Sequence, residues 1–336
     1  MDAHIDSIAW AIQSPCRKVE TRPARLVHEL SLLNVVARPV AHQFHGRGET
    51  SERNENRGRW YPKPRAGAGN VAVLSPVFQG WSREDVVWAD FYDDWSIAPD
   101  INLWHRLLAS MTYSRIRKGG ARGLTVTCNT PYMAARLGLG PESIVPNGVD
   151  CNLACLPAGG DDRRRLIVLG HLFKGRTDLE LLRSALLEWP FDDIVIGAPG
   201  TDPAILGILE ASISANRPVR TFGWLSSEEL ATMTGARTVG LVPHVVTDYT
   251  LSQDLMKVYQ LLSLGIKVVC PRLLWPNGID DSMAFLHGIG SDPGAIGDWN
   301  NSMSISTGWR LDFVARNSWK SRASRVAQLI AQGSYD

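Results

Sequence analysis

The stretch LSQDLMKVYQLLSLGIKVVC (251–270) sets one lysine, Lys257, near the start of an otherwise apolar helical run. A cation there is at the wrong end of the helix macrodipole, which costs roughly a few tenths of a kcal/mol at an exposed site. The placement makes sense where an anion is expected, because free backbone N–H groups, the dipole and the ammonium then converge on it. Gln260, three residues on, shares the face of Lys257 about one turn deeper. Its amide could hold a ribose hydroxyl while Lys257 holds a phosphate. The alternative is a solvated lysine on an amphipathic helix. Asp248, Thr250 and Ser252 precede this helix and either contact sugar hydroxyls or phosphate, or only shape the turn and cap the helix. His244 follows the run GLVP at the C-terminal end of an expected strand, as a site residue or as a packed histidine. In the first half, DVVWADFYDDW (85–95) places Asp90, Asp93 and Asp94 at a strand end. A carboxylate there could accept a hydroxyl proton or orient an acceptor; otherwise the three cap and solubilise a loop.

The elements that must position these residues alternate regularly from Arg164 onward. RRLIVLG (164–170), DIVIGAP (193–199), VRTFG (219–223), TVGLVPH (238–244) and KVVCP (267–271) read as strands. Between them TDLELLRSALLEW (177–189), PAILGILEASISA (203–215), SSEELATMTG (226–235) and DLMKVYQLLSLG (254–265) have helical spacing. Ser226 with Glu229 forms a capping-box pattern, and Gly265 is a C-terminal stop. Short strands alternating with helices predict right-handed crossovers and an α/β fold whose parallel sheet is covered on both faces. Ligands of such sheets bind beyond the C-terminal strand ends.

The first half repeats the scheme more roughly. SIAWAIQSP (7–15), NVAVLSP (70–76), DVVWADF (85–91), LTVTC (124–128) and SIVP (143–146) are read as strands. ARLVHELSLLN (24–34), INLWHRLLASMTYSRIRK (101–118) and TPYMAARLG (130–138) are read as helices. The polar, Arg- and Gly-rich segment 45–69 is read as a mobile surface loop, either an acceptor-recognition lid or an insertion. The expected division is a domain over 1–150, a second over 151–316 and a final segment over 317–336, with the linker near 147–164.

Of the 336 residues, 44% are hydrophobic and 21% charged, enough for two domains with real cores. The 35 basic and 34 acidic residues leave a net charge of +1, so nothing calls for nucleic acid as a partner. There is no signal-peptide pattern, no apolar run of the ~20 residues a membrane span needs, and no convincing amphipathic anchor. Five cysteines without a CxxC pair fit a reducing, cytoplasmic setting. HQFH (42–45) and CNLAC (151–155) lack the second pair of ligands that a zinc site needs, so no metal is expected.

Several runs, in order, resemble the GT-B glycosyltransferases of the retaining, nucleotide-sugar-dependent glycosyltransferase 4 type. VPNGVD (145–150) resembles the interdomain P-N-G-V-D signature, and VLGHLFKGRTDLELL (168–182) the first C-domain strand with its basic loop. VRTFGWLSSEEL (219–230) resembles the segment whose backbone contacts the donor base, and GLVPHVVTDYTLSQDLMKVYQLLSLGIKVVC (240–270) the phosphate-lysine helix. NSWKSRASRVAQLI (317–330) is similar to the helix that crosses back to the first domain. The resemblance covers roughly residues 85–330. It implies two Rossmann-like domains with parallel sheets facing each other across a cleft, donor held by the second and acceptor by the first.

On that resemblance Lys257 and Arg176 would stabilise the leaving diphosphate, and Asp93 would serve the acceptor hydroxyl. Gly170, His171, Lys174, Trp224, Leu225, His244, Thr250, Ser252 and Gln260 would line the donor site. Arg25, His28, Asp90 and Asp94 would lie on the acceptor side. Ser252 and Gln260 stand where the family usually carries two glutamates, and no glycine precedes Gly46 where a glycine-rich loop is usual. The implied activity is metal-independent transfer of a sugar from a nucleoside diphosphate to a hydroxyl, with retention and no cofactor. Partners would be the nucleotide sugar, a glycan, lipid-linked or small-molecule acceptor, and a peripheral contact with the inner membrane face. The alternatives are a catalytically degenerate GT-B protein that binds a nucleotide sugar or a partner enzyme, and a nucleotide-sugar epimerase.

Overall fold

The computed structural model describes residues 8–12, 22–33, 37–41, 70–74, 86–99, 101–119, 123–156, 162–170, 172–173, 175–198, 202–214, 218–223, 225–287, 296 and 305–333. The expected loop 45–69 and the site candidates His171, Lys174 and Trp224 lie outside these residues.

The chain divides into two compact units. The first comprises Met1–Gly148, Ser252–Asp254 and Trp319–Asp336; the second comprises Val149–Leu251 and Leu255–Ser318. In the first unit the strands are β1 (Ile8–Ile12), β2 (Ala37–Ala41), β3 (Asn70–Leu74), β4 (Val86–Phe91) and β5 (Thr125–Cys128). They form one parallel sheet in the order β2-β1-β3-β4-β5. Its helices are α1 (Arg22–Leu32), α2 (Leu103–Arg117) and α3 (Pro131–Leu137). The α3 helix shows why such a short element forms. Thr130 caps it by accepting from the Met133 N–H, Pro131 sits in its first turn, and Gly138 ends it at φ 72°.

The second unit contains β6 (Arg165–Leu169), β7 (Asp193–Gly197), β8 (Val219–Phe222), β9 (Thr238–Leu241), β10 (Lys267–Pro271) and β11 (Ala284–His287). Their order is β11-β10-β9-β6-β7-β8, again all parallel. Its helices are α4 (Leu179–Leu187), α5 (Pro203–Ser214), α6 (Ser227–Thr232), α7 (Asp248–Leu251), α8 (Met256–Ser263) and α9 (Thr307–Asn317). The final helix, α10 (Trp319–Gly333), groups with the first unit.

The continuous apolar run of β6 follows from its position. Leu166 and Val168 pack with Leu182, Leu186, Ile194 and Ile196 on one face. Ile167 and Leu169 pack with Val195, Val242, Leu261 and Val268 on the other. A strand covered on both faces has no polar side, so alternation disappears. From β6 the chain winds out through β7 and β8, then returns to lay β9 on the opposite edge of β6. The switch point of the sheet therefore lies between β6 and β9, where open α/β sheets form their crevice.

Several elements depart from the sequence reading. SIVP is not a strand: a 3-10 turn over Pro141–Ser143 leads to a single bridge between Ile144 and Cys128. Pro146 lacks the N–H that a further ladder bond would require. The helix expected from Asp254 starts at Met256, because Asp254 groups with the first unit, where it accepts from the Asn147 backbone N–H. The strands β2 and β11 and the helices α7 and α9 are additions to the reading, α7 taking in Asp248 and Thr250, which were expected in a loop. Arg310 of α9 anchors the segment after Val149, donating to Leu153 O at 3.1 Å and Leu156 O at 3.2 Å.

Candidate functional site

Three basic side chains of the second unit converge at its switch point. Gly170 directly follows β6, and His244 follows β9 by three residues. Residues 175–178 are strapped across them: Val245 N donates to Arg176 O at 2.9 Å, and Asp178 N donates to Pro243 O at 2.8 Å. Thr177 and His244 form an antiparallel bridge. This brings the Arg176 guanidinium to His244, with Nε donating to Nε2 at 3.1 Å. Arg176 also lies over the Phe173 ring, 5.9 Å from its centroid, a placement that favours a guanidinium.

Lys257 enters the same place from the first turn of α8. A Cβ built on Gly170 would lie 2.1 Å from Lys257 Nζ and 2.2 Å from Cε. Gly170 also holds φ +99°, a conformation L side chains rarely adopt. Glycine is thus required twice, by the backbone and by the lysine lying over it. The N-cap of α8, Leu255, offers no side-chain hydrogen bond to the helix's first N–H groups.

The electrostatics of this cluster are one-sided. Burial, then Arg176, lowers the Lys257 ammonium to about 7. Burial, then Lys257 and Arg176, holds His244 well below the usual imidazole value. Among the described residues no carboxylate pairs with Lys257, Arg176 or His244. Neutral His244 accepts from Arg176 at Nε2, so its proton is on Nδ1. That buried Nδ1 has no hydrogen-bond partner among the described residues. Lys257, Arg176 and His244 Nδ1–H therefore form a set of donors without an acceptor, the arrangement that receives an oxyanion.

The other donor-side candidates are placed differently. Gln260 donates from Nε2 to Ser227 Oγ at 3.1 Å, a partner the sequence reading missed. Leu225 is buried, with its Cδ1 2.9 Å from a Cβ built on Gly197. Thr250 is buried, and its hydroxyl donates to Val245 O at 2.6 Å and accepts from Thr247 N at 2.8 Å, locking the loop. Ser252 belongs to the first unit, where its Oγ accepts from Asp94 N at 2.8 Å.

The first unit gathers its own polar network around the C-terminal ends of β4 and β5. Arg22 makes a two-pronged pair with Asp90, 2.8 Å on each arm. Thr127 Oγ1 donates to Asp90 Oδ1 at 2.6 Å and accepts from Trp88 Nε1 at 2.9 Å. Arg22 also donates to Asn147 Oδ1 at 3.3 Å, and Asn147 Nδ2 donates to Asp254 O at 2.6 Å. Asp90 is fully buried, with both oxygens engaged. It was Arg22, the residue before Pro23, that α1 brings to it; Arg25 is half-buried and His28 exposed.

Asp94 accepts from Arg136 Nε at 3.1 Å and from Ser96 N at 2.9 Å. Asp93 is held at φ 55°, uniquely among the non-glycine described residues. Its carboxylate accepts from Gln253 Nε2 at 3.2 Å. The side-chain oxygens of buried Asn129 and Gln253 have no hydrogen-bond partner among the described residues. A strained aspartate beside unpartnered buried acceptors is a second place where the fold holds groups for something other than its own packing.

No family model matches the sequence, and no curated protein matches it. Solved structures do. Sucrose-phosphate synthase from Thermosynechococcus elongatus superposes with a TM-score of 0.64 at 14% identity, over 97% of this chain and 98% of that one. HepE from Anabaena, in complex with UDP, gives 0.59 at 10% identity, over 97% and 100%. AviGT4, a glycosyltransferase involved in avilamycin A biosynthesis, gives 0.57 at 13% identity, over 97% and 97%. The likeness shows the fold: this is a GT-B chain with two Rossmann-like units.

Proposed function

We propose that the protein is a glycosyltransferase that moves a sugar from a nucleoside-diphosphate donor to an acceptor hydroxyl with retention of configuration. One observation carries the reading: Lys257, Arg176 and the His244 Nδ1–H converge at the switch point of the second sheet with no acid among them. A dianionic diphosphate supplies the missing acceptors. When the glycosidic bond breaks, charge grows on the departing phosphate, and cations already aimed at it lower the barrier without reorganising. Gln260, at the α8 face beside Ser227, holds the ribose. Asp93 positions the acceptor hydroxyl, whose proton goes to the leaving phosphate or to that carboxylate. HepE is described with UDP, which makes UDP the first nucleotide to test here.

The test is a thermal-shift screen with UDP, GDP, dTDP and ADP and their sugars, on wild type and Lys257→Ala. A ligand at 100 times its dissociation constant adds about 2.7 kcal/mol. One nucleotide shifting wild type and not the variant is the expected result. No shift with any of them sinks the reading. A second reading, a nucleotide-sugar-binding protein without transfer, is favoured by Ser252 grouping with the first unit through its bond to Asp94 N. Binding without release of UDP from its sugar, with or without acceptors, would select it.

A further inference from the structure

The helix α2 is apolar on two opposite faces. Its inner face, with Ala109, Thr112, Tyr113 and Ile116, is buried. At about 100° per residue, Leu103, Trp104, Leu107 and Met111 fall within one arc on the opposite side. They are 80%, 65%, 50% and 41% exposed. A surface helix normally keeps that arc polar, and a contiguous bare stripe marks an interaction surface.

The charge beside the stripe identifies the partner. Arg115 and Arg117 in the last turn and Lys118 at the C-cap are all exposed. Between Asp100 and Glu142 the sequence contains no acidic residue, in a chain whose net charge is only +1. Four exposed apolar side chains, one a tryptophan, run into three cations with no acid between them. That is the composition of a helix lying in the headgroup region of an anionic bilayer. Among the described residues no helix is long and apolar enough to cross a membrane, so the contact is peripheral.

We propose that the outer face of α2 docks the protein onto an anionic lipid surface. Leu103, Trp104, Leu107 and Met111 enter the acyl boundary, while Arg115, Arg117 and Lys118 meet the headgroups. Neither set belongs to the donor cluster, so docking is measured without donor or acceptor and does not depend on sugar transfer.

The experiment is co-sedimentation of the whole chain with vesicles of phosphatidylcholine alone, and of phosphatidylcholine with about 30% phosphatidylglycerol. Wild type is expected to bind the anionic vesicles and to leave them as salt rises. The pair Arg115→Glu and Arg117→Glu lowers binding on the order of tenfold or more. The pair Trp104→Ala and Leu107→Glu abolishes it. All four positions are exposed, so both variants keep the wild-type melting temperature. Equal binding to both vesicle types, no binding to the anionic ones, or binding undiminished in both variants overturns the proposal. A concentration-dependent dimer that Leu107→Glu dissolves, without vesicle binding, assigns the face to a second copy and overturns it equally.

Discussion

The two units each bury a polar cluster, and the clusters are built on opposite principles. In the first unit Arg22 meets Asp90, Asp90 meets Thr127, Thr127 meets Trp88, and Asn147 ties Arg22 to Asp254. Nearly every donor has its acceptor, and the result is rigidity. In the second unit Lys257, Arg176 and His244 are brought together with no carboxylate, the one acceptor among them being the His244 Nε2 that Arg176 already occupies. Drawing cations even partly out of water without a counter-charge costs stability. A fold carries such a cluster when a ligand completes it. Polar burial is therefore informative through its deficit: the paired network holds the structure, and the unpaired one is prepared for an anion.

That contrast is broken most severely by removing one half of the paired network. Arg22→Ala leaves Asp90 fully buried without its partner. The expected loss is about 3–5 kcal/mol in urea unfolding, with the double variant Arg22→Leu, Asp90→Leu recovering much of it. A loss below about 1 kcal/mol would show that Asp90 is solvated in solution and the network is not structural.

Lys257→Met should act with the opposite sign. It removes a partly buried cation that has no acid beside it, so the protein gains stability while losing its nucleotide. The loss of affinity for UDP is expected at about 10- to 100-fold, the worth of a charged hydrogen bond, read by calorimetry. The folded-state pKa of Lys257, lowered from 10.5 to about 7, fixes the pH dependence. The unfolded chain binds the extra proton between these values, so the wild type's handicap relative to Lys257→Met is full below about pH 7 and fades towards pH 10.5. A variant less stable than wild type at pH 7 would mean that the lysine has a partner in solution.

The same linkage sharpens the binding reading. A bound diphosphate keeps Lys257 protonated, so UDP binding takes up a proton above pH 7. Affinity should fall about twentyfold between pH 7.5 and 9, a range in which the phosphate is already ionised and His244, held low, does not titrate. In Lys257→Met the profile should be flat. A flat wild-type profile would place the titrating group elsewhere.

The sequence made much of the second unit legible because its signals are local. A strand covered on both faces reads as an apolar run, the Ser226–Glu229 box announces α6, and a lysine at the wrong end of α8 is an anomaly visible in a few residues. Gly170, Arg176, His244 and Lys257, all singled out by position, stand together in the structure. The first unit resisted because its signals are long-range. Nothing near Arg22 says that it will meet Asp90, and the helix drew attention instead to Arg25 and His28. Asp248, Thr250 and Ser252 read as one loop before the Lys257 helix, yet Asp248–Leu251 form α7, with Thr250 locked to Val245, while Ser252 groups with the first unit. In β2, Arg38 and Pro39 obscure a strand that parallel pairing with β1 nevertheless supports. The helical period of α2 was plain, but both of its faces are apolar, so periodicity could not say which one would remain bare.

His244 provides the smallest and most specific test of the contrast. Its Nε2 is occupied by Arg176, so whatever it offers a ligand comes from Nδ1–H. A buried neutral donor with no acceptor costs stability in the free protein and repays it on binding. Replacing it with phenylalanine fills the same space and removes the orphan donor. Stability should therefore be unchanged or slightly higher, while UDP affinity falls only about 2- to 10-fold, the range for a neutral hydrogen bond. The direction separates two roles that the geometry alone leaves coupled. If His244 serves only to hold Arg176, the loss should match that of Arg176→Met, and His244→Phe should add nothing on the Arg176→Met background. If Nδ1–H reaches the phosphate itself, the two losses should add.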